Sequence, residues 1–201
     1  MSVAGKHFIG WLAIFIVLAV SQTKAQPSFK VGGKVFTSIE KASQQPDSVI
    51  RLRLKRRGLR EIPPAIFQFK NLRELDLSSN KLKYIPKELY QLEKLEVLRL
   101  TRNRIVRIDS GIGRLQQLTY IDLGMNPIQE LPAEFGHLKQ LQFLQLWGTE
   151  ITWLPESIAE LPVLRWLDMR NIILTESERE DLIRMFPKTT LYLSEGCNCV
   201  K

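Results

Sequence analysis

A nine-residue phrase returns through this chain every 23 residues, and that fixed period constrains the fold more than any other feature. It reads LRELDLSSN at Leu72–Asn80, with apolar residues at places one, four and six and Asn at place nine. Val49 opens VIRLRLKRR, Leu95 opens LEVLRLTRN, Leu118 opens LTYIDLGMN, Leu141 opens LQFLQLWGT and Leu164 opens LRWLDMRNI. Self-similarity at such a period is the signature of a solenoid, in which each coil buries its apolar face only against its neighbours. Six units span Val49 to Phe186, about two thirds of the 201 residues.

Each unit divides into a strand half and a return half. Over places one to eight the pattern predicts a strand, with residues such as Leu95, Leu98 and Leu100 pointing inward. Places three, five and seven alternate with these and face outward. Each strand is expected to pair in parallel with the same strand of the next coil. At the ninth place, Asn80, Asn103 and Asn126 can bond backbone groups that a tight turn leaves unpaired. Arg57 and Thr149 stand there in the first and fifth units, which predicts looser turns. In the return half, Pro63, Pro86, Pro132 and Pro155 share one place. Proline presets φ and has no N–H, so it marks the corner where extended chain enters a short helical turn. Asp109 replaces it in the third unit and is also a good helix starter.

The ends depart from the repeat. Phe8–Val20 is an uncharged apolar run after Lys6 and His7, followed by Ser21, Thr23 and Ala25. This order is that of a secretory signal peptide, residues 1–25, with an uncleaved membrane anchor as the competing reading. The run is short of the roughly 20 residues that span a bilayer, which favours cleavage. Residues 26–48 form a linker and N-terminal cap. Val31–Phe36, with Gly32 and Gly33, is expected to make a small hairpin. Thr37 and Glu40 suggest a capping box for a helix over Ile39–Gln44, stopped by Pro46. Phe36 and Ile39 are expected to cover the open end of the first coil. After the sixth strand, Thr175 and Glu178 form a second capping box before a helix to Phe186, stopped by Pro187. Residues 187–201 hold a last strand, Thr189–Leu193, and a Cys-x-Cys tail. For Cys197 and Cys199 a tight disulfide is favoured; a bridge to another chain and a metal site with outside ligands stay open.

No catalytic set is visible, so an enzyme is not expected, and neither is a cofactor or a metal. Of the two histidines, His7 lies in the leader and His137 has no nucleophile placed for it. The formal charge is +8, and loss of residues 1–25 removes Lys6 and Lys24 and no acid, leaving +6. Arg51, Arg53, Lys55, Arg56, Arg57 and Arg60 alone equal that excess. The basicity is therefore local, and a nucleic-acid partner is not expected.

Stacked coils turn places into columns about 4.8 Å apart. The third place reads Arg51, Glu74, Val97, Tyr120, Phe143 and Trp166, an expected exposed aromatic strip with Trp147 beside it at the seventh place. The fifth place reads Arg53, Asp76, Arg99, Asp122, Gln145 and Asp168, an expected charge ladder between neighbouring strands. Arg51, Arg53 and Lys55, with Arg102 and Arg56 nearby, make a basic end. Tyr84 and Trp153, past the strands, are expected to pack locally.

The units LxxLxLxxNxLxxLPxxIxxLxx resemble the leucine-rich repeat family, in its 23-residue subclass found in Ras-pathway scaffold proteins and small secreted bacterial proteins. The leader exit Lys24-Ala25-Gln26, the short cap and the Cys-x-Cys tail look most like the bacterial group. The resemblance implies an α/β fold: a right-handed solenoid with a parallel sheet on its concave side and short helical or 3-10 turns on the convex side. It also implies protein binding through the concave face. The expected function is that of an exported, non-enzymatic protein-binding module of the cell envelope, secreted or periplasmic. Its partner would touch Tyr120, Phe143, Trp147 and Trp166 and carry an acidic part for Arg51, Arg53, Lys55 and Arg102. An envelope glycan binder and a structural spacer are the alternatives.

Overall fold

The computed structural model describes residues 31–194. The leader and both cysteines lie outside the described residues. Eight strands form one parallel sheet in chain order: β1 Val35–Phe36, β2 Arg51–Arg53, β3 Glu74–Asp76, β4 Val97–Arg99, β5 Tyr120–Asp122, β6 Phe143–Gln145, β7 Trp166–Met169 and β8 Thr190–Leu193. From β2 to β7 the pairing register is one repeat: Leu52, Leu75, Leu98, Ile121, Leu144 and Leu167 stand opposite one another in turn. The convex return passes through 3-10 turns at Pro64–Gln68, Lys87–Gln91, Ser110–Arg114 and Ala133–His137, and through helix α2, Glu156–Ala159. Each begins directly after the expected corner residue, Pro63, Pro86, Asp109, Pro132 or Pro155. Asp109 makes no side-chain cap bond, so its extended backbone alone turns the chain.

The inward places form one continuous core. Leu72, Leu75 and Leu77 and their equivalents are buried, as are the convex-side residues Ile66, Leu89, Ile112, Phe135 and Ile158. At about 25 cal/mol per Å² of apolar surface removed from water, this shared interior is the main stabilising term.

The ninth-place asparagines lock one coil to the next. Asn103 Nδ2 donates to Leu100 O (2.8 Å) in its own coil and to Leu77 O (3.1 Å) in the preceding one, while its Oδ1 accepts from Leu82 N (3.1 Å). Asn80 and Asn126 repeat this pattern. Thr149 lacks that reach: its hydroxyl donates only to Leu146 O within its own coil (2.7 Å). The turn has a second requirement that the sequence pattern does not announce. Arg56, Ser79, Arg102, Met125 and Asn171, all at the eighth place, have φ between 54° and 58°, and Gly148 has φ 64°. Only Gly and Asn adopt this left-handed region readily, so the asparagine ladder and the packed coil hold the other four in it.

At the N-terminus, β1 pairs in parallel with β2, so the expected hairpin is absent: the two glycines lead into a strand that extends the sheet. Helix α1, Ile39–Ser43, is capped by Ser38, not by Thr37; the Ser38 side chain accepts from Lys41 N. Phe36 is buried in the main core, Ile39 packs against it, and Ala42 joins them. At the other end, helix α3, Glu176–Met185, carries the expected Thr175–Glu178 capping box. Its Leu182 is buried, as is Phe186, while Ile183 is exposed.

Asn103→Ala leaves Leu82 N without its partner inside the core and takes one of two donors from Leu77 O and Leu100 O, which Asn80 and Asn126 still serve. At about 1–3 kcal/mol for the one buried donor so orphaned, the loss is expected to be about 1–3 kcal/mol. Chemical denaturation checks this, and a loss below about 1 kcal/mol contradicts a ladder that holds the coils together.

Candidate functional site

The concave sheet presents the third, fifth and seventh places of every coil, and its two halves are built differently. In the N-terminal half the chemistry is ionic. Glu74, fully buried on β3, receives Arg51 Nε at 2.7 Å, Arg53 Nη2 at 3.0 Å and Arg99 Nη1 at 2.8 Å. The fifth-place charge ladder therefore does not form as expected. Its two arginines turn to the third-place glutamate, because one buried carboxylate offers four lone-pair sites to forked donors from both neighbouring strands. The fifth-place aspartates instead close their own turns. Asp76 Oδ1 accepts from Ser78 N (2.9 Å), Asp122 Oδ1 from Gly124 N (3.0 Å) and Asp168 Oδ1 from Arg170 N (3.1 Å). Arg51 is thus committed to an internal ion cluster, and Arg53 shares in it while remaining partly exposed. Lys55 and Arg102 are exposed and make no ion pair among the described residues.

In the C-terminal half the chemistry is aromatic. Tyr120 and Phe143 have centroids 6.5 Å apart, Phe143 and Trp166 6.4 Å, and Trp166 stacks on Tyr192 of β8 at 4.0 Å. The run of rings is thus one longer than the sequence suggested: β8 sets Tyr192 opposite Asp168, at the fifth place, and its ring meets Trp166 diagonally. Arg170 lies over Tyr192 (5.6 Å to the ring centre) and holds Asp168 bidentately, with bonds of 2.9 and 2.6 Å. Trp147 lies flat across Gly124, where a Cβ would meet its indole ring. Gly124, a glycine one coil before a tryptophan at the same place, was the available signal for that seat.

The expected exposure of the strip is corrected in part. Tyr120 is buried, and Phe143, Trp147 and Trp166 are half-buried. A curved sheet brings concave side chains of neighbouring coils together, so outward-pointing rings cover one another. Val31 adds to this: it joins Val97 and Tyr120 in a small second cluster, with Ile50 and Phe143 packed against it. Arg99 sits over the Tyr120 ring at 5.0 Å, and burial pushes the Tyr120 phenol well above its ordinary pKa. Beneath the rings, both amide atoms of Gln145 and the indole Nε1 of Trp166 are buried without a hydrogen-bond partner.

Tyr84 and Trp153 also depart from expectation. They do not pack locally; each is 56% exposed. His137 is exposed on the convex side. Among the described residues no three His, Cys, Asp or Glu side chains gather as metal ligands, and no helix is long and apolar enough to cross a membrane.

Comparison with known proteins agrees with this geometry. The family described as leucine rich repeat matches residues 48–105, and that described as leucine-rich repeat region matches 108–178. The chain is a leucine-rich repeat protein. A leucine-rich repeat protein of Leptospira interrogans is similar in structure at 30% identity with a TM-score of 0.67, over 81% of this chain and 47% of that one. The plant peptide hormone receptor RGFR1, in complex with RGF2, is similar at 30% identity and TM-score 0.59, over 74% of this chain and 25% of the receptor. Internalin C2 of Listeria monocytogenes shares the fold at 24% identity and TM-score 0.60, over 73% and 62%. The chain spans less than two thirds of each of these structures. None of the curated proteins matches it.

Two acids on this face titrate in opposite directions. Burial alone would raise Glu74, but the Arg51 and Arg53 bonds and the Arg99 charge outweigh it and lower its pKa below 4.5. Its contribution is present above the unfolded value and is lost as pH falls through the depressed folded one. Burial, the largest influence on Asp122, raises that residue above 3.8 despite Gly124 N–H and Arg99; ionised Asp122 therefore weakens the fold as pH rises through its raised value. Stability measured from pH 7 to pH 2 is expected to fall steeply below about 4.5, and less so in Glu74→Gln. Asp122→Asn, which keeps an acceptor for Gly124, is expected to gain on the native chain as pH rises above 4. An unchanged acid limb in Glu74→Gln contradicts the ion cluster.

Proposed function

We propose that this leucine-rich repeat protein is an exported module that binds a protein partner through the C-terminal half of its concave face. Leucine-rich repeats serve in general as protein-interaction modules, and the receptor with the same fold was solved in complex with another molecule. The observation that carries the reading is the half-buried run of rings Phe143, Trp166 and Tyr192 with Trp147 alongside it. Aromatic side chains give large contact area at low entropic cost and dominate binding energy where they cluster. The unpartnered Gln145 amide and Trp166 Nε1 add to it. A native protein rarely leaves such groups unpaired, and a partner backbone entering between the rings would supply acceptors and a donor.

The footprint differs from the sequence expectation at its basic end. Glu74 holds Arg51 and Arg53 in place but cancels only one of the three guanidinium charges around it, so exposed Arg53 stands with Lys55 and Arg102 as the cations offered to an acidic part of the partner. Tyr120 serves as packing beneath the strip. Export rests on the leader pattern of residues 1–25, and the partner class rests on the face. The reading is non-enzymatic: among the described residues the face offers rings and paired ions, and no nucleophile set beside a base.

Affinity capture with the native chain is expected to retain a protein that a Phe143→Ala/Trp147→Ala variant of matched stability binds at least tenfold more weakly. The core control Leu98→Ala is expected to cost about 2–5 kcal/mol of stability, and Phe143→Ala distinctly less. Equal capture by both chains overturns the site. Capture that a soluble glycan displaces, with no protein retained, moves the function to sugar binding.

A further inference from the structure

A second surface lies along the edge where the chain leaves each strand, at places eight to thirteen. These places are contiguous from coil to coil: Lys81 N donates to Leu59 O at 2.7 Å, Arg104 N to Leu82 O at 2.8 Å and Glu150 N to Ile128 O at 2.9 Å. Of the six large hydrophobic residues exposed among the described residues, five stand on this one edge: Tyr84, Val106, Met125, Trp153 and Ile173. An edge this narrow holds most of the exposed apolar side chains although the rest of the surface is far larger.

Cations flank them. Lys81, Lys83, Arg102, Arg104 and Arg107 belong to the same stretch of coils two and three and are all exposed. None takes part in an ion pair or side-chain hydrogen bond among the described residues. This sets them apart from Arg51, Arg53 and Arg99, whose guanidinium groups are bonded to Glu74. Acids border the stretch without entering it: Glu61 lies on the first coil, and Glu130 and Glu150 on the fourth and fifth, where Gln129 Nε2 donates to Glu150 at 3.0 Å.

We infer that this edge, centred on Tyr84 and Val106 in coils two and three, docks on an anionic lipid bilayer. A protein partner would require a packed, complementary patch with anchors seated in pockets. Here the exposed apolar groups are single side chains interleaved with exposed cations. A bilayer interface asks for no shape complementarity. Tyr and Trp partition to the headgroup level, short aliphatic tips enter the acyl boundary, and each Lys or Arg near an anionic surface contributes about 1 kcal/mol. The long stems of Lys83 and Arg104 can bury while their charges stay at the phosphates. Met125 is held exposed by its left-handed backbone, φ 54°, and extends the apolar line toward Trp153. Docking by this edge leaves the aromatic half of the concave face open; Arg102 borders both surfaces and is left in place in the substitutions below, so the inference is tested apart from the reading of that face.

The test is cosedimentation of the full chain with vesicles of phosphatidylcholine alone and of phosphatidylcholine with about a third anionic lipid. The apolar run Phe8–Val20 would engage both vesicle types, so the readout is the anionic excess and its response to edge substitutions. Binding is expected to favour anionic vesicles, to weaken with salt, and to fall at least about tenfold in Lys81→Glu/Arg104→Glu/Arg107→Glu. Tyr84→Ser/Val106→Ser, which removes only exposed apolar groups, is expected to weaken it several-fold with unchanged Tm. Equal binding to both vesicle types, no binding, or an anionic excess that survives the triple substitution overturns the inference. Retention on soluble heparin without vesicle binding also overturns it and assigns the edge to a polyanion in solution.

Discussion

The structure depends on a register constraint that acts through one side-chain amide. A parallel strand stack leaves the turn after each strand with carbonyls facing inward and N–H groups pointing at the next coil. Asn80, Asn103 and Asn126 each satisfy donors and acceptors of two coils at once. A shift of one residue would break these bonds and turn every leucine of the strand outward, since side chains alternate in a strand. The repeat period is therefore enforced twice, by burial and by hydrogen bonding. That redundancy is what permits four residues unsuited to left-handed backbone to occupy it at the eighth place.

That fixed frame determines which side chains can meet. Concave positions of neighbouring coils converge, so large or charged groups meet there, either along a column or diagonally between columns. At the N-terminal half the result is a carboxylate surrounded by three guanidinium groups, and at the C-terminal half a stack of rings ending on β8. Buried ion clusters contribute modestly to net stability once desolvation is counted, yet removing one member is costly. The cluster thus serves to close that half of the face, and the surface that remains adaptable is the aromatic half.

The parallel strand of each repeat, the corner prolines and the C-terminal helix were legible from period and capping chemistry, because each follows from a residue type at a fixed offset; the strands proved shorter than the pattern, at places three to five in β2 to β6, since the neighbouring places already turn toward the convex return. The hairpin at Gly32–Gly33 was misread: glycine signals a turn, but β2 had an unpaired edge, and pairing with it was the better use of Val35 and Phe36. The fifth-place ladder failed because column reading treats a place as isolated, whereas Arg53 and Arg99 reach diagonally to the third place. The exposure of Tyr120 failed for a related reason. Alternation tells which side of a sheet a ring leaves, and it carries no information on curvature or on Val31 packing against that side. Tyr84 and Trp153 were assigned to packing from position alone, although a turn residue beyond the core has little to pack on.

The separation of these surfaces follows from the same geometry. Places three, five and seven leave the sheet on its concave side, and places eight to thirteen lie on the edge beyond it. A substitution in one column therefore leaves the other surface's backbone bonds intact, because the intervening ninth place is held by the asparagine ladder. The basic residues of the chain illustrate the division. Those within the strands, Arg51, Arg53 and Arg99, share one buried carboxylate, while those past the strands, Lys81, Lys83, Arg104 and Arg107, have no acid within their own coils' exposed edge to meet. Cations that a fold leaves without an acid are available to something outside it, and on this edge they stand among exposed apolar side chains.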